Sequence, residues 1–372
     1  MRFSLLTLGV SFLLLASTQT PFAGEASPAQ AEWERLIRQA GREGRLVNYG
    51  GEEITHPEIL RAFNKEYPDI KVVTATGHGS ELGARILAER RAGKYLADLY
   101  AGGPSTPYRV LYQAKALDPI EPVLILPEVT DFSKWYGGKH HYADPENRYL
   151  FLFEGTVSGG GTIHYNTRLV DPRSFRSYRD LLDPKWKGKI LFMDPRSSSL
   201  GLNAATSFYY HPELGPDFLK RLLTETEVGI SGNRRQGTDW LSTGKYLLCF
   251  ACRDIERAKK QGLPIDDIDP AQLSEGGSEI GGGGSSVIAL INKAPHPNAA
   301  RVFINWFLSR QGQMVWQGVM NTMVVEGSDS MRIDIPKDEV LPDSRRLPGH
   351  VYRVVGFRDP KPVLKLLDDL LK

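Results

Sequence analysis

The sequence predicts an α/β protein of two lobes, the second inserted into the first and joined to it by two crossings that act as a hinge. Three observations lead there. At 372 residues the chain is too long for one small core. Strand-like and helix-like segments alternate from Ala29 onward, the pattern of a largely parallel sheet covered by helices. Two glycine runs, "GGGTIHYNTRLV" and "GGGGSSVIALIN", each feed an apolar strand and bracket the middle third.

The elements follow in order. Residues 1–26 read as a secretory signal. Arg2 gives a positive start, "LLTLGVSFLLLA" is apolar but short for a membrane span, and "PFAGEAS" offers small residues for cleavage between Ala23 and Ala26. Lobe 1 is expected over 27–157 and, with the C-terminal helices, over 287–372; lobe 2 is expected over 158–286. In lobe 1, "AEWERLIRQAGREG" spaces Trp33, Leu36, Ile37 and Ala40 as a helix that stops at Gly44. "RLVNYGG" is a short buried strand. Thr55 and Glu58 form a capping-box pattern ahead of Ile59, Leu60 and Phe63. "DIKVVTA" is a strand, "GSELGARILAERRAG" a helix capped by Ser80, "LADLYAGG" a strand, and "PSTPYRVLYQAKAL" a helix begun by Pro104 and Ser105. In lobe 2, "WKGKILFMDPRSSS" is a strand running into a serine-rich helix start, and "KYLLCFA" is a strand followed by the helix "RDIERAKKQG". "PNAARVFINWFLSRQGQMVWQ" is an amphipathic helix of the return to lobe 1.

Composition narrows the function. The net charge is +2, and no basic block stands out, which argues against nucleic acid or a strongly anionic surface as the main partner. The two cysteines, Cys249 and Cys252, lie far from the leader, so no lipid-anchoring cysteine is present. An exported, unanchored chain is best retained in a periplasm. There is no G-x-S-x-G, no H-E-x-x-H and no G-x-x-x-x-G-K. His140 and His141 sit in a polar loop. No cofactor and no metal site is expected.

"IHYNTRLV", "YRDLLDPKWKGKILFMDP" and "APHPNAARVFINWFLSRQGQ" resemble segments of bacterial extracellular solute-binding proteins that serve ABC importers, in the right order along nearly the whole mature chain. The similarity is to the branch that holds ferric-ion and related small-solute carriers. It implies a type II periplasmic binding protein fold with two hinge-crossing strands and a cleft that closes on ligand. It also implies two partners, a small-molecule solute and an ABC permease in the inner membrane, and a monomer.

Open α/β sheets bind ligands beyond the carboxyl ends of their strands. Four places fit: Glu53 after the first strand, Ser80 after the second, Gly103 and Ser105 after the third, and Ser198 and Ser199 after "KILFMD". Helix starts there favour anions through free N–H groups and the helix dipole; each serine is equally an ordinary N-cap worth about 1 kcal/mol. "SGNRRQGTDW" adds Arg234 and Arg235, read as a loop ahead of a helix. The resemblance implies that this segment faces the cleft, where one arginine grips a carboxylate or phosphate in two-point fashion. The alternative is a solvated surface pair.

The adjacent tyrosines of "SFYYHPEL" raise the question of iron. Tyr209 lies about 16 Å along a helix that starts near Ser198, and neighbouring side chains diverge by about 100°. Tyr209 and Tyr210 therefore read as packing residues. In similar ferric carriers a tyrosine pair follows a middle-lobe strand, where this chain has "CFACRDI". Cys249 and Cys252 there admit three readings: an activated thiol, a local disulfide that requires the chain to turn, or a buried residue beside a small turn residue. The fold also hosts thiamine-cleaving enzymes with a cysteine nucleophile, for which Cys252 with Asp254 is the candidate pair. The leading reading is a non-enzymatic carrier of a small anionic or anion-accompanied solute. A ferric-ion carrier with ligands other than a tyrosine pair is the alternative.

Overall fold

The computed structural model describes residues 28–158, 161–196, 199–276, 278–281, 286–324, 327–342 and 344–371. The leader expected over 1–26 lies outside them. Strands run in chain order as β1 (Arg45–Gly50), β2 (Lys71–Thr76), β3 (Leu99–Gly102), β4 (Leu117–Asp118), β5 (Phe151–Leu152), β6 (Val157–Ser158) and β7 (Ile163–Asn166). Then come β8 (Ile190–Met193), β9 (Gly229–Ser231), β10 (Leu248–Phe250), β11 (Ile265–Ile268), β12 (Glu279–Gly281), β13 (Val287–Ile291) and β14 (Arg353–Val355).

Two sheets carry two α/β lobes. The first is ordered β2-β1-β3-β13-β4, with β5 also on β13; β1, β2 and β3 are parallel and β13 runs against β3. The second is ordered β11-β7-β10-β8-β9, with β8, β9 and β10 parallel and β7 antiparallel to β10. Every residue of "VIALI" in β13, "ILFM" in β8 and "LCF" in β10 is buried, as expected of strands covered on both faces. Each sheet has its own core. Trp33 and Leu36 of helix Pro28–Glu43 pack with Phe63, Phe303 and Trp306 on the first. Phe208, Phe218 and Leu222 of helices Ser199–Tyr209 and Gly215–Glu225 pack on the second. Each such buried ring contributes roughly 1.5–3 kcal/mol.

Two helix starts differ from the sequence expectation. Helix Pro57–Glu66 is capped by His56, whose Nδ1 accepts the Glu58 N–H at 3.3 Å. Pro57 at the first helical position moves the cap there, and Thr55 Oγ1 donates to the Gly51 carbonyl instead (3.0 Å). Helix Gly79–Arg91 starts after His78, so Ser80 is its second residue and not its cap.

Register fixes where the lobes meet. Leu152 of β5 and Val287 of β13 pair, and Val287 also sits beside Gly102, the last residue of β3. The chain therefore leaves and re-enters lobe 1 at the carboxyl ends of its parallel strands. In lobe 2, His164 pairs Cys249 while Ile268 pairs Ile163, so β7 begins and β11 ends at the carboxyl end of β10. Two crossings therefore join the carboxyl edge of one sheet to the carboxyl edge of the other. Those crossings are β6 and β12, an antiparallel pair; β6 ends just before the first glycine run and β12 ends on Gly281, the first residue of the second.

A third strand joins this hinge. Arg346 is held to lobe 1 by Asp329, with Nε–Oδ2 at 2.9 Å, and the Tyr352 N–H donates to Tyr136 Oη (2.8 Å). β14 then pairs in parallel with β12, and helix Lys361–Leu370 buries Val363 and Leu367 in the lobe 2 core. The C-terminal strap thus runs from lobe 1 through the hinge and ends on lobe 2.

Glu279 of β12 ties the strap down. Its carboxylate accepts from Arg353 (2.7 Å), from Arg358 through both Nη atoms (2.8 and 2.9 Å) and from Ser207 Oγ of lobe 2 (3.0 Å). Arg353 also donates Nη1 to Nε2 of buried His211 (2.9 Å). Burial, and then the Arg353 charge, hold the imidazolium form down to about 4, well below the ordinary 6.5. A depressed histidine is neutral when folded, whereas the unfolded chain takes up a proton below 6.5. Its contribution to stability is thus fully present above pH 6.5 and is lost as pH falls towards 4. Urea unfolding of His211→Gln against the parent should show a flatter pH dependence across that window; identical slopes would contradict this.

Candidate functional site

At the carboxyl edge of lobe 1 the structure brings together Glu53, Ser80, Gly103 and Ser105. Glu53 lies in the one-turn helix Glu52–Thr55 directly after β1. The Gly51 N–H donates to the Ala101 carbonyl (3.3 Å), which sets that turn beside the end of β3. Ser80 is exposed in the first turn of helix Gly79–Arg91, and Gly103 and Ser105 are exposed after β3. Close packing holds these starts side by side. A Cβ at Gly79 would lie 2.8 Å from Thr106 Oγ1 and from Tyr100 Oη, and one at Gly83 would lie 2.7 Å from Thr106 Cγ2. Glycine at both positions lets the segment after β3 rest on the helix without displacing Thr106 or Tyr100.

The carboxyl edge of lobe 2 is assembled in the same way. Met193 of β8 pairs Ser231 of β9, and the Asp194 N–H donates to the Ser231 carbonyl (2.8 Å). Helix Ser199–Tyr209 follows β8, with Ser199 as its first residue; Ser198 lies outside the described residues. Arg234 and Arg235 are the first two residues of helix Arg234–Ser242 and not a loop ahead of it. The reason is Asn233, whose Oδ1 accepts the Gln236 N–H (3.4 Å) in the N-cap position.

Tyr209 and Tyr210 sit at the far end of helix Ser199–Tyr209, half-buried against the lobe 2 core. Their rings meet edge to face at 5.0 Å, and the Tyr210 hydroxyl donates to the Asp359 carbonyl (2.8 Å). Both are packing residues. Cys249 and Cys252 form a disulfide with Cα atoms 6.1 Å apart. The turn that such a bridge requires is made at Ala251, in the left-handed region at φ 61°. With Cys252 bonded to Cys249, the nucleophile that the enzyme alternative needs is not available in the oxidised protein.

Two basic residues that motif reasoning passed over lie at the same edge. Arg196 follows β8 and pairs with Asp194 (Nε–Oδ1 3.2 Å), while its Nη1 donates to the Leu371 carbonyl (2.7 Å). Arg253 follows β10, is exposed, and its side chain makes no hydrogen bond or ion pair among the described residues. Their signal in the sequence is only position: each stands a few residues past an apolar strand, in "FMDPR" and "CFACR". Two open grooves of about 890 and 860 Å³ flank the strap at Val351 and Tyr352, and among the described residues their linings include none of the site residues named above.

Comparison with known proteins agrees with this architecture. Three solved structures share the fold. Iron-bound HitA from Pseudomonas aeruginosa is 20% identical, with 88% of this chain and 99% of that one covered and a TM-score of 0.53. The Bordetella ferric binding protein is 16% identical, covering 88% and 98% with a TM-score of 0.59. The spermidine/putrescine ABC transporter substrate-binding protein PotD from Streptococcus pneumoniae is 14% identical, covering 88% and 99% with a TM-score of 0.52. A Haemophilus influenzae protein described as uncharacterized is 26% identical over 326 residues, 85% of this chain and 84% of that one. The model of the bacterial extracellular solute-binding protein family matches residues 58–323, and the chain belongs to that family.

Proposed function

We propose that the chain captures a small anionic solute between the carboxyl edges of its two lobes and delivers it to an ABC permease from the periplasm. The observation that supports this reading is the register of β5, β7, β11 and β13, which puts the crossings at the carboxyl edges of both sheets. Helices Gly79–Arg91, Ser199–Tyr209 and Arg234–Ser242 all start at those edges. Each start carries about half a positive charge and free N–H donors, worth roughly 0.3–1 kcal/mol to an exposed anion. Arg234, Arg235 and Arg253 add full charges on the lobe 2 side. A solute that touches both edges binds the closed form better than the open one, so it shifts the population to closure, and the permease reads that form.

Several structural neighbours are ferric binding proteins, but here the Tyr210 hydroxyl is committed to a backbone carbonyl and both rings pack on the core. Thermal unfolding with citrate, phosphate, sulfate and ferric chloride tests the reading. An anion at a hundred times its Kd should stabilise the protein by about 2.7 kcal/mol and raise Tm. Stabilisation by ferric ion alone would replace the anion reading with the iron one.

A further inference from the structure

The turn after β10 is closed by the disulfide, and the helix after β9 packs on that turn. A Cβ at Gly237 would lie 2.9 Å from Cys252 Sγ and 2.9 Å from Met193 Sδ, so helix Arg234–Ser242 rests directly on the Cys252 sulfur and on the end of β8. One residue on, Thr238 Oγ1 donates to the Arg253 carbonyl. Cys249 and Cys252 are buried, with Leu191, Met193, Leu241 and Ile255 around them. Arg253, next in the chain, is exposed and unpaired among the described residues. The residues on either side of Cys252 and Arg253, Ala251 and Asp254, both take positive φ, at 61° and 56°. Non-glycine residues rarely hold that conformation unless the surroundings impose it.

A bridge that spans a separation of only three residues restrains the unfolded chain little. Its consequence is therefore local geometry. It fixes the direction in which the chain leaves β10, and through Gly237 it fixes where the helix bearing Arg234 and Arg235 begins.

We propose that Arg253 is a ligand-contacting residue of the cleft, and that the Cys249–Cys252 disulfide, with Gly237 and Thr238, positions it and the start of helix Arg234–Ser242 as one rigid anion-binding wall. This deepens the solute-capture reading and rests on it for the identity of the ligand as an anion. In this arrangement Arg253 stands on a stapled turn, so little backbone ordering remains to be done there on binding. Cys249, Cys252, Gly237 and Thr238 are positioning residues; of these five residues, Arg253 is the one that touches the solute.

The test uses the full mature protein with citrate and inorganic phosphate as calorimetric probes, and hydrogen exchange as a readout that needs no ligand. Arg253→Ala should weaken the probe that the parent binds by about tenfold or more, with partial recovery in Arg253→Lys, as for a charge-assisted bond. Unchanged affinity in Arg253→Ala would overturn its contact role. The double variant Cys249→Ala/Cys252→Ala should exchange faster at the amides of 234–240 and 251–255, with lobe 1 unaffected, and should bind the probe more weakly at an unchanged Tm for lobe 1. Should that variant fail to fold, Thr238→Val against Thr238→Ser decides: the valine should reproduce the faster exchange and weaker binding, and the serine should restore both. Unaltered exchange in these variants would overturn the positioning role. If the parent binds neither probe, the anion reading fails and Arg253's role with it, while the exchange result still decides whether the disulfide fixes the wall.

Discussion

Replacing Glu279 with alanine is expected to destabilise the protein by about 3–5 kcal/mol, the cost of leaving buried charges without their counter-ion. Glu279 is 7% exposed, and its carboxylate is the common acceptor for Arg353, Arg358 and Ser207. Without it, two guanidiniums face each other at the hinge, one of them also against His211. Glu279→Gln keeps the shape and one acceptor, so it should fall between the alanine variant and the parent. The functional consequence follows from the place of the residue: β12 is a crossing strand, so the same variant should loosen the coupling between the lobes. Equilibrium urea unfolding measures the first effect, and a loss below about 1 kcal/mol would mean that the arginines are solvated and the cluster is not the hinge anchor.

Replacing Arg234 and Arg235 together with alanine is expected to abolish ligand capture while leaving the fold intact. Each charge-assisted hydrogen bond to a carboxylate or phosphate is worth about 1.5–3 kcal/mol, so losing one two-point grip lowers affinity by roughly a hundredfold or more. The fold should persist because helix Arg234–Ser242 is anchored further along, by buried Thr238 and Leu241. Single variants should differ strongly from each other, since successive residues on a helix point about 100° apart. Binding of the most stabilising anion, followed by calorimetry on parent and variant, is the check. Equal affinities would remove this helix start from the site.

Much of this architecture was legible because it is local. Apolar runs such as "VIALI" and "ILFM" are bounded by turn-forming or polar residues, "GGGGSS" before the first and "DPRSSS" after the second, and each boundary carries its own chemistry. The candidate positions were legible for the same reason, since the residues just past a strand are fixed by where the strand ends. What escaped is non-local or conformational. β14 is three residues long and partly exposed, without alternation, and only its pairing with β12 makes it a strand. Arg353 and Arg358 look like solvated charges in the sequence; their partner Glu279 lies 74 and 79 residues away. The disulfide stayed one option among three because its closure depends on a left-handed Ala251, a conformation that the residue type does not announce. Helix starts shifted by one or two residues where a neighbour capped better, as with His56 and Asn233.

The most direct test of solute capture is native mass spectrometry of the protein taken from a periplasmic extract, set against the same sample after denaturation. The account predicts a retained small-molecule mass, released on unfolding, that carries a carboxylate, phosphate or comparable anionic group. A retained mass that matches iron without such a group, or a retained cation or neutral solute, would contradict it.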